Sequence, residues 1–255
     1  MKIDSDRWLQ RHLGGTVRVV RPAEHDKAAE IRDFLSGALK HVVEPTFFHA
    51  KVPVERVDHV AALTSVGFAV VDVNVTFSRE PGPPRGGSSI GASGVDVRPV
   101  ADDEGERVVE LASSCFTRSR FHLDPFIPEE QANRVNGAWV ADYSEGRRGE
   151  LLDGAFVGGR LVGFNAILRS QVAGQEALII DLIGVDPKFQ GRGIGRVLVE
   201  RFLHWSADRC TVVRVGTQAV NTPAVRLYEH FGFKLTEAKY VLHAHAKNGV
   251  VRGWD

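Results

Sequence analysis

The sequence predicts an α/β protein of the α+β type with a mixed sheet, and three observations carry the prediction. Short runs rich in Val, Ile and Phe alternate in polarity, as half-buried strands do. Between them lie stretches with apolar residues three and four apart, the helical period. A Gly/Pro/Ser-rich segment, 81–94, interrupts this grammar, which then restarts. The chain therefore divides into a smaller N-terminal α/β domain (1–80), a linker (81–94) and a larger domain (95–255).

The elements follow in order. Residues 16–20 form a short β-rich run before Arg21-Pro22. Residues 24–37 carry apolar side chains at 28, 31, 34 and 35, a helix. A second helical stretch covers 54–65 and stops at Gly67, after which 68–77 alternates as a strand through Val71, Val73, Val75 and Phe77. Residues 80–94 hold three prolines and five glycines, which no helix or strand interior accommodates. Beyond them come a strand at 95–99, an amphipathic helix at 102–115, the unusual stretch 119–125 and a helix at 129–143. Strands 150–157 and 163–170 flank Gly158-Gly159, which is hairpin chemistry. Residues 177–185 form a strongly apolar strand, 188–195 a glycine-rich turn and 194–208 a helix. A strand at 211–216, a helix at 223–231 closed by Gly232 and a strand at 235–243 complete the pattern.

Charge excludes several functions. The 255 residues carry 32 basic and 32 acidic side chains. Residues 1–94 hold 12 and 11 of them, and the remainder 20 and 21, so neither part is a polycation suited to nucleic acid. The two cysteines, Cys115 and Cys210, are far apart and form no metal or disulfide pattern, which reads as reduced thiols in a cytoplasmic protein. Charged residues fill positions 1–20, leaving no apolar leader core, and no run is long enough for a membrane span. The ten histidines show no metal spacing, and His243 and His245 read as solvated strand residues.

The chemistry concentrates after the apolar strand. Asp186-Pro187 turns the chain, and Gln190, Gly191, Arg192, Gly193, Ile194, Gly195 and Arg196 then open a helix. Glycines let a ligand approach the backbone, and free N–H groups at a helix start favour a phosphate. The stretch is neither GxxxxGK[ST] nor GxGxxG, because position 196 is Arg. Downstream, Asn221 and Thr222 suit a helix cap and Pro223 a first helical turn. Ala224 and Tyr228 stand four apart on one helix face.

The pattern Gln190-x-x-Gly193-x-Gly195, between a strand and a helix, resembles the acetyl-coenzyme A pyrophosphate loop of the GNAT superfamily of N-acetyltransferases. The segment Asn221…Ala224…Tyr228…Gly232-Phe233 is similar to a second segment of that family. The resemblance implies the GNAT fold for the larger domain, acetyl-CoA as donor with coenzyme A as product, and direct attack by an amine. It implies that Ile183 and Val185, on a splayed strand end, hold the pantetheine and thioester. It also places a general acid at Tyr228, whose ordinary pKa of about 10 suits protonation of a thiolate. Asp181, a charge in an apolar strand, is a candidate base or the partner of a neighbouring cation. Along most of its length the chain is similar to the dTDP-fucosamine acetyltransferases and related enzymes of nucleotide-linked amino sugars. The match includes 51–56, 119–125 and 214–218, and leaves the linker unmatched. Arg120, His122, Asp124, Thr217 and Gln218 are then acceptor-binding candidates, with His122 a second candidate base or a structural residue. The expected partner is a small-molecule amine, with no nucleic acid or membrane, and a homodimer is compatible. The alternatives are a GNAT enzyme acting on a peptide N-terminus, an antibiotic or another small amine, and a non-catalytic coenzyme-binding regulator.

Overall fold

Alternating β-branched residues build one large sheet in the computed structural model, which describes residues 1–84 and 94–254. The linker expected at 81–94 falls mostly, over 85–93, outside the described residues. In chain order the strands are β1 (Lys2–Ser5), β2 (Thr16–Arg21), β3 (Thr46–Pro53), β4 (Ala69–Arg79), β5 (Asp96–Pro99) and β6 (Leu151–Val157), then β7 (Arg160–Val172), β8 (Gln175–Val185), β9 (Val212–Gln218), β10 (Lys234–Lys247) and β11 (Val250–Val251). The helices are α1 (Arg7–Leu13), α2 (Ala28–Lys40), α3 (Val57–Thr64), α4 (Gly105–Cys115), α5 (Glu129–Ser144), α6 (Ile194–Ser206) and α7 (Thr222–His230).

Across the sheet the order is β1-β2-β3-β10-β4-β9-β8-β7-β6-β5, with β11 on β10. Strands from before and after the linker thus share one ladder. β10 lies between β3 and β4 and pairs antiparallel with both. The turn between β6 and β7 has positive φ at Gly158 (56°) and Gly159 (79°), as a two-residue hairpin requires.

Helices cover both faces. Ile31, Leu35 and Leu39 of α2 and Leu63 of α3 pack on Val20, Phe48, Ala50 and Leu242. Val199, Phe202 and Leu203 of α6 join Tyr228 of α7 over Val75, Phe77, Leu178, Ile180, Val213 and Val215. Each of these fully buried side chains contributes about 1.5–3 kcal/mol by leaving water. Two elements escape the periodicity reading. α1 is capped by Asp6, whose side chain accepts from Leu9 N at 3.0 Å, and β1 pairs with β2. α2 begins later than expected because Asp26 closes a turn, its carboxylate accepting from Ala23 N at 2.6 Å.

One irregularity positions the site. β8 and β9 pair in parallel from Ala177↔Val212 to Ile180↔Val215, and there the pairing ends. β8 continues to Val185 on β7, and β9 continues to Gln218 on β4. At the parting point the β7–β8 register slips between Ala166↔Leu182 and Ile167↔Ile180. Asp181 is the extra residue of that bulge. Bulges bend a strand and re-aim a side chain, and this one turns β8 away from β9. The sheet opens as a V between 181–185 and 216–218.

Candidate active site

A cavity of about 960 Å³ fills the V. On the β8 side its wall comprises Asp181, Ile183 and Val185, continuing into Gln190, Gly191, Gly193, Ile194 and Gly195. Across the opening stand Thr217, Gln218, Asn221, Ala224 and Tyr228. Fourteen sequence candidates therefore converge on one space, counting Arg120, which closes it from the stretch between α4 and α5.

The glycine-rich turn is built locally. Asp186 Oδ1 accepts from Lys188 N at 2.9 Å, and Gln190 Nε2 donates to Val185 O at 3.1 Å, fixing the exit from β8. Gly191 and Gly193 adopt φ of 76° and 81°, and a Cβ on either would meet nothing within 4 Å. The turn is left-handed and opens onto empty space, so its backbone N–H groups stay approachable. Arg192 and Arg196 lie outside the cavity wall. Arg192 packs over the Phe189 ring at 5.0 Å, and Arg196 donates to His230 Nε2 at 3.0 Å.

Tyr228 is 2% exposed, with its ring 6.1 Å from Phe77 and 6.0 Å from Phe233. Its hydroxyl makes no hydrogen bond among the described residues, and burial pushes its pKa above the ordinary tyrosine value. Asn221 occupies the N-cap position of α7, but its amide donates to Thr217 Oγ1 at 3.1 Å instead of capping the helix. That bond ties the helix start to the strand end.

Asp181 forms the pairing that the sequence left open. Its Oδ2 accepts from Tyr143 Oη at 2.7 Å, Trp139 Nε1 at 3.0 Å and Arg148 Nε at 2.9 Å. The bulge aims this carboxylate at α5 and the turn after it.

Two acceptor candidates lie outside the cavity wall. His122 is engaged at both ring nitrogens, by Ser119 Oγ at 2.7 Å and Asn133 Oδ1 at 2.9 Å. Asp124 is 1% exposed, and its Oδ2 accepts from His243 Nδ1 at 2.7 Å and His245 Nε2 at 2.8 Å. This corrects the reading of those histidines as solvated: His243 is fully buried. They share one face of β10, and the stretch between α4 and α5 delivers Asp124 onto that face. Burial would raise the Asp124 pKa, but the two histidines hold it below the usual carboxylate range. Burial pushes His243 down to about 3, so the ring is neutral. Cys115 and Cys210 are free and half-buried, and burial pushes the Cys115 thiol up to about 12.

The structure adds residues that sequence reasoning passed over. Lys51 of β3, Asp72, Asn74 and Thr76 of β4, Asn136 and Trp139 of α5, Arg214 of β9, and Glu237 and Lys239 of β10 all face the cavity. The register shows why β3, β4 and β10 supply a shared row. Val241 pairs with both Lys51 and Asp72, and Lys239 pairs with Asn74. Alternation was visible in β4, but its partner strands were not.

Fold and cleft together define a mixed α/β protein whose binding site is a split in its own sheet, with a glycine-rich helix start at one wall. The acetyltransferase (GNAT) family model matches residues 106–233. The chain belongs to the GNAT acetyltransferase family. It is 28% identical to the spore coat polysaccharide biosynthesis protein SpsD of Bacillus subtilis over 149 residues, 58% of this chain and 50% of that protein. It is 26% identical to dTDP-fucosamine acetyltransferase of Escherichia coli over 196 residues, covering 76% of this chain and 80% of that one. It is 38% identical to mycothiol acetyltransferase of Thermomonospora curvata over 128 residues, 44% of this chain and 42% of that one. The chain thus spans about half the length of the first of these relatives. A solved GCN5-related N-acetyltransferase from Sphaerobacter thermophilus shares the fold, with a TM-score of 0.58 at 14% identity, covering 97% of this chain and 77% of that one. No helix among the described residues is long and apolar enough to cross a membrane.

Proposed function

We propose that the protein transfers an acetyl group from acetyl-CoA to the amine of a small acceptor, a nucleotide-linked deoxyamino sugar. The single cleft carries this reading. It runs from the glycine-rich helix start, past the parted strands and Tyr228, to a polar face built by β3, β4 and β10. The resemblance to dTDP-fucosamine acetyltransferase, which extends over most of both chains, supports the sugar acceptor.

The residues present suit the coenzyme. Gly191 and Gly193 leave open space before their N–H groups, and a Cβ at Gly195 would come within 3.4 Å of Leu227. In this reading the backbone of 191–196 holds the pyrophosphate, with Gln190 fixing the turn and Arg192 and Arg196 adding positive charge nearby. Ile183 and Val185 have left the β8–β9 ladder, so their backbone is available to a pantetheine arm, and Asn221 and Ala224 shape the opposite wall. When bound, acetyl-CoA supplies the activated acetyl group. Tyr228 holds a proton at Oη throughout the neutral range, because burial keeps the phenol un-ionised, and would give it to the coenzyme sulfur as the C–S bond breaks, the proton of the attacking amine passing to solvent. Asp181 acts as a positioning residue that locks α5 against the bulged strand. Thr217 and Gln218 offer neutral hydrogen-bonding groups to a hydroxylated acceptor.

An acceptor screen that follows thiol release tests the proposal. dTDP-amino-sugars are expected to give coenzyme A-dependent turnover; turnover with peptide N-termini and none with the sugars overturns the sugar acceptor. A second reading, another small-molecule amine, rests on the relative of higher identity over a shorter stretch, mycothiol acetyltransferase. The same screen separates the two.

A further inference from the structure

The far end of the cleft, away from the glycine-rich turn, has an unbalanced charge. Five cations line the cleft: Arg118, which is exposed, and Lys51, Arg120, Arg214 and Lys239. Two share one carboxylate, because Glu237 pairs with Lys239 at 2.7 Å and with Arg214 at 3.4 Å. Lys51 and Arg120 have no carboxylate within 4.0 Å among the described residues. The cavity carboxylate whose charge acts on both is Asp72, which is 7% exposed and whose Oδ1 has no hydrogen-bond partner among the described residues.

Arg120 is held in place without losing its charge. Its guanidinium packs over the Phe121 ring at 4.5 Å, and Nη1 donates to His49 Nδ1 at 3.2 Å. His49 Nε2 in turn donates to Asp6 Oδ2 at 3.2 Å. Burial pushes His49 down to about 4, so the imidazole that orients Arg120 is neutral. Burial also lowers Arg120 to about 10, and burial together with the Arg120 charge lowers Lys51 to about 8. Two cations are thus held close to a buried carboxylate that satisfies neither. A bound anion relieves that strain, and a donor group on the same molecule satisfies Asp72 Oδ1.

We propose that Lys51 and Arg120 form an oxyanion subsite that takes the phosphate groups of the acceptor, while Asp72 receives an O–H or N–H donor of the same molecule. The two cations come from different elements, β3 and the stretch between α4 and α5, and two charges suit a diphosphate, which carries more than one anionic oxygen. The inference deepens the proposed acetyl transfer, on which it rests for the direction in which the acceptor lies. It explains how a chain without a basic run in its sequence can grip a phosphorylated acceptor: the two cations come from positions 51 and 120 and meet only in the fold.

The test is calorimetric and needs no turnover. With coenzyme A saturating, so that the glycine-rich site is occupied, dTDP and thymidine are titrated into the protein. dTDP is expected to bind about tenfold or more tightly than thymidine, and Lys51→Met and Arg120→Gln each to remove most of that advantage without changing thymidine binding. Arg120→Lys should retain part of it, and if Arg120→Gln fails to fold, Lys51→Met carries the test alone. Equal binding of dTDP and thymidine, or equal loss of both in Lys51→Met, overturns the subsite. If dTDP binds as expected while dTDP-amino-sugars release no thiol, the subsite stands and the amino-sugar acceptor falls.

Discussion

Replacing Tyr228 by Phe removes one oxygen and leaves the ring where it packs, between Phe77 and Phe233. The hydroxyl has no hydrogen-bond partner among the described residues, so its loss breaks no bond within the fold. Tyr228 lines the cavity and its oxygen is not sealed from water, so the stability of the variant should lie within about 1 kcal/mol of wild type. The rate should respond very differently. A positioned general acid contributes about 10²-fold or more, close to 2.7 kcal/mol at about 1.36 kcal/mol per factor of ten. The assay is steady-state thiol release alongside urea unfolding and coenzyme A titration. The expected result is a fall in kcat of about a hundredfold, with the unfolding midpoint and coenzyme affinity nearly unchanged. Because the phenol pKa is raised, the proton stays on Oη well above neutral pH, and wild-type kcat should not fall through loss of this acid between about pH 7 and 9. Wild-type kcat in the Phe variant would refute the acid role of Tyr228. A loss of rate matched by a loss of stability would refute the claim that the hydroxyl is unused by the fold.

Three other perturbations test separate links. Gly193→Val places a β-branched residue at φ of 81° and a side chain in the open space before the turn, so coenzyme A binding by calorimetry should be lost; an unchanged isotherm would move the pyrophosphate elsewhere. Asp124→Ala strips the shared acceptor from His243 and His245 and should cost about 3–5 kcal/mol in urea unfolding, whereas a loss below about 1 kcal/mol would show the cluster to be replaceable. Asp72 has its folded pKa raised from 3.8 to about 6, chiefly by burial, so its ionisation removes stability as pH rises through that window. Asp72→Asn should therefore stabilise the protein by about 1–3 kcal/mol at pH 8 and by less at pH 5, read from unfolding at the two pH values; an equal effect at both would contradict the raised pKa.

What the sequence made legible was local. The turn 188–195 could be recognised because glycine conformation, a helix start and a preceding apolar strand all lie within a few residues. The segment from Asn221 to Tyr228 was legible for the same reason. What it hid was register. Asp181 looked like a lone charge in an apolar strand, because the bulge that turns it toward Arg148 exists only relative to β7. Asp72 and Lys239 carried no signal, and Lys51 only that of its matched segment, because the row they form depends on β10 entering between β3 and β4. His243 and His245 looked solvated because the residue that buries them, Asp124, is about 120 positions away and sits in a stretch without periodicity. β1 and α1 were missed for a simpler reason: they are short and mostly polar, and are ordered by an Asp6 cap and by pairing with β2.

The placement of β10 also governs when the fold can form. β3 and β4 do not pair with each other; each uses one edge of β10. On a ribosome, β3 and β4 emerge long before the strand that joins them, roughly 150 residues or more later, a separation that makes pairing slow. Until then both present open edges to the cell, including the apolar Phe47, Phe48 and Ala50 of β3. The polar row that the finished cleft displays is thus also the last part of the protein to be assembled during synthesis.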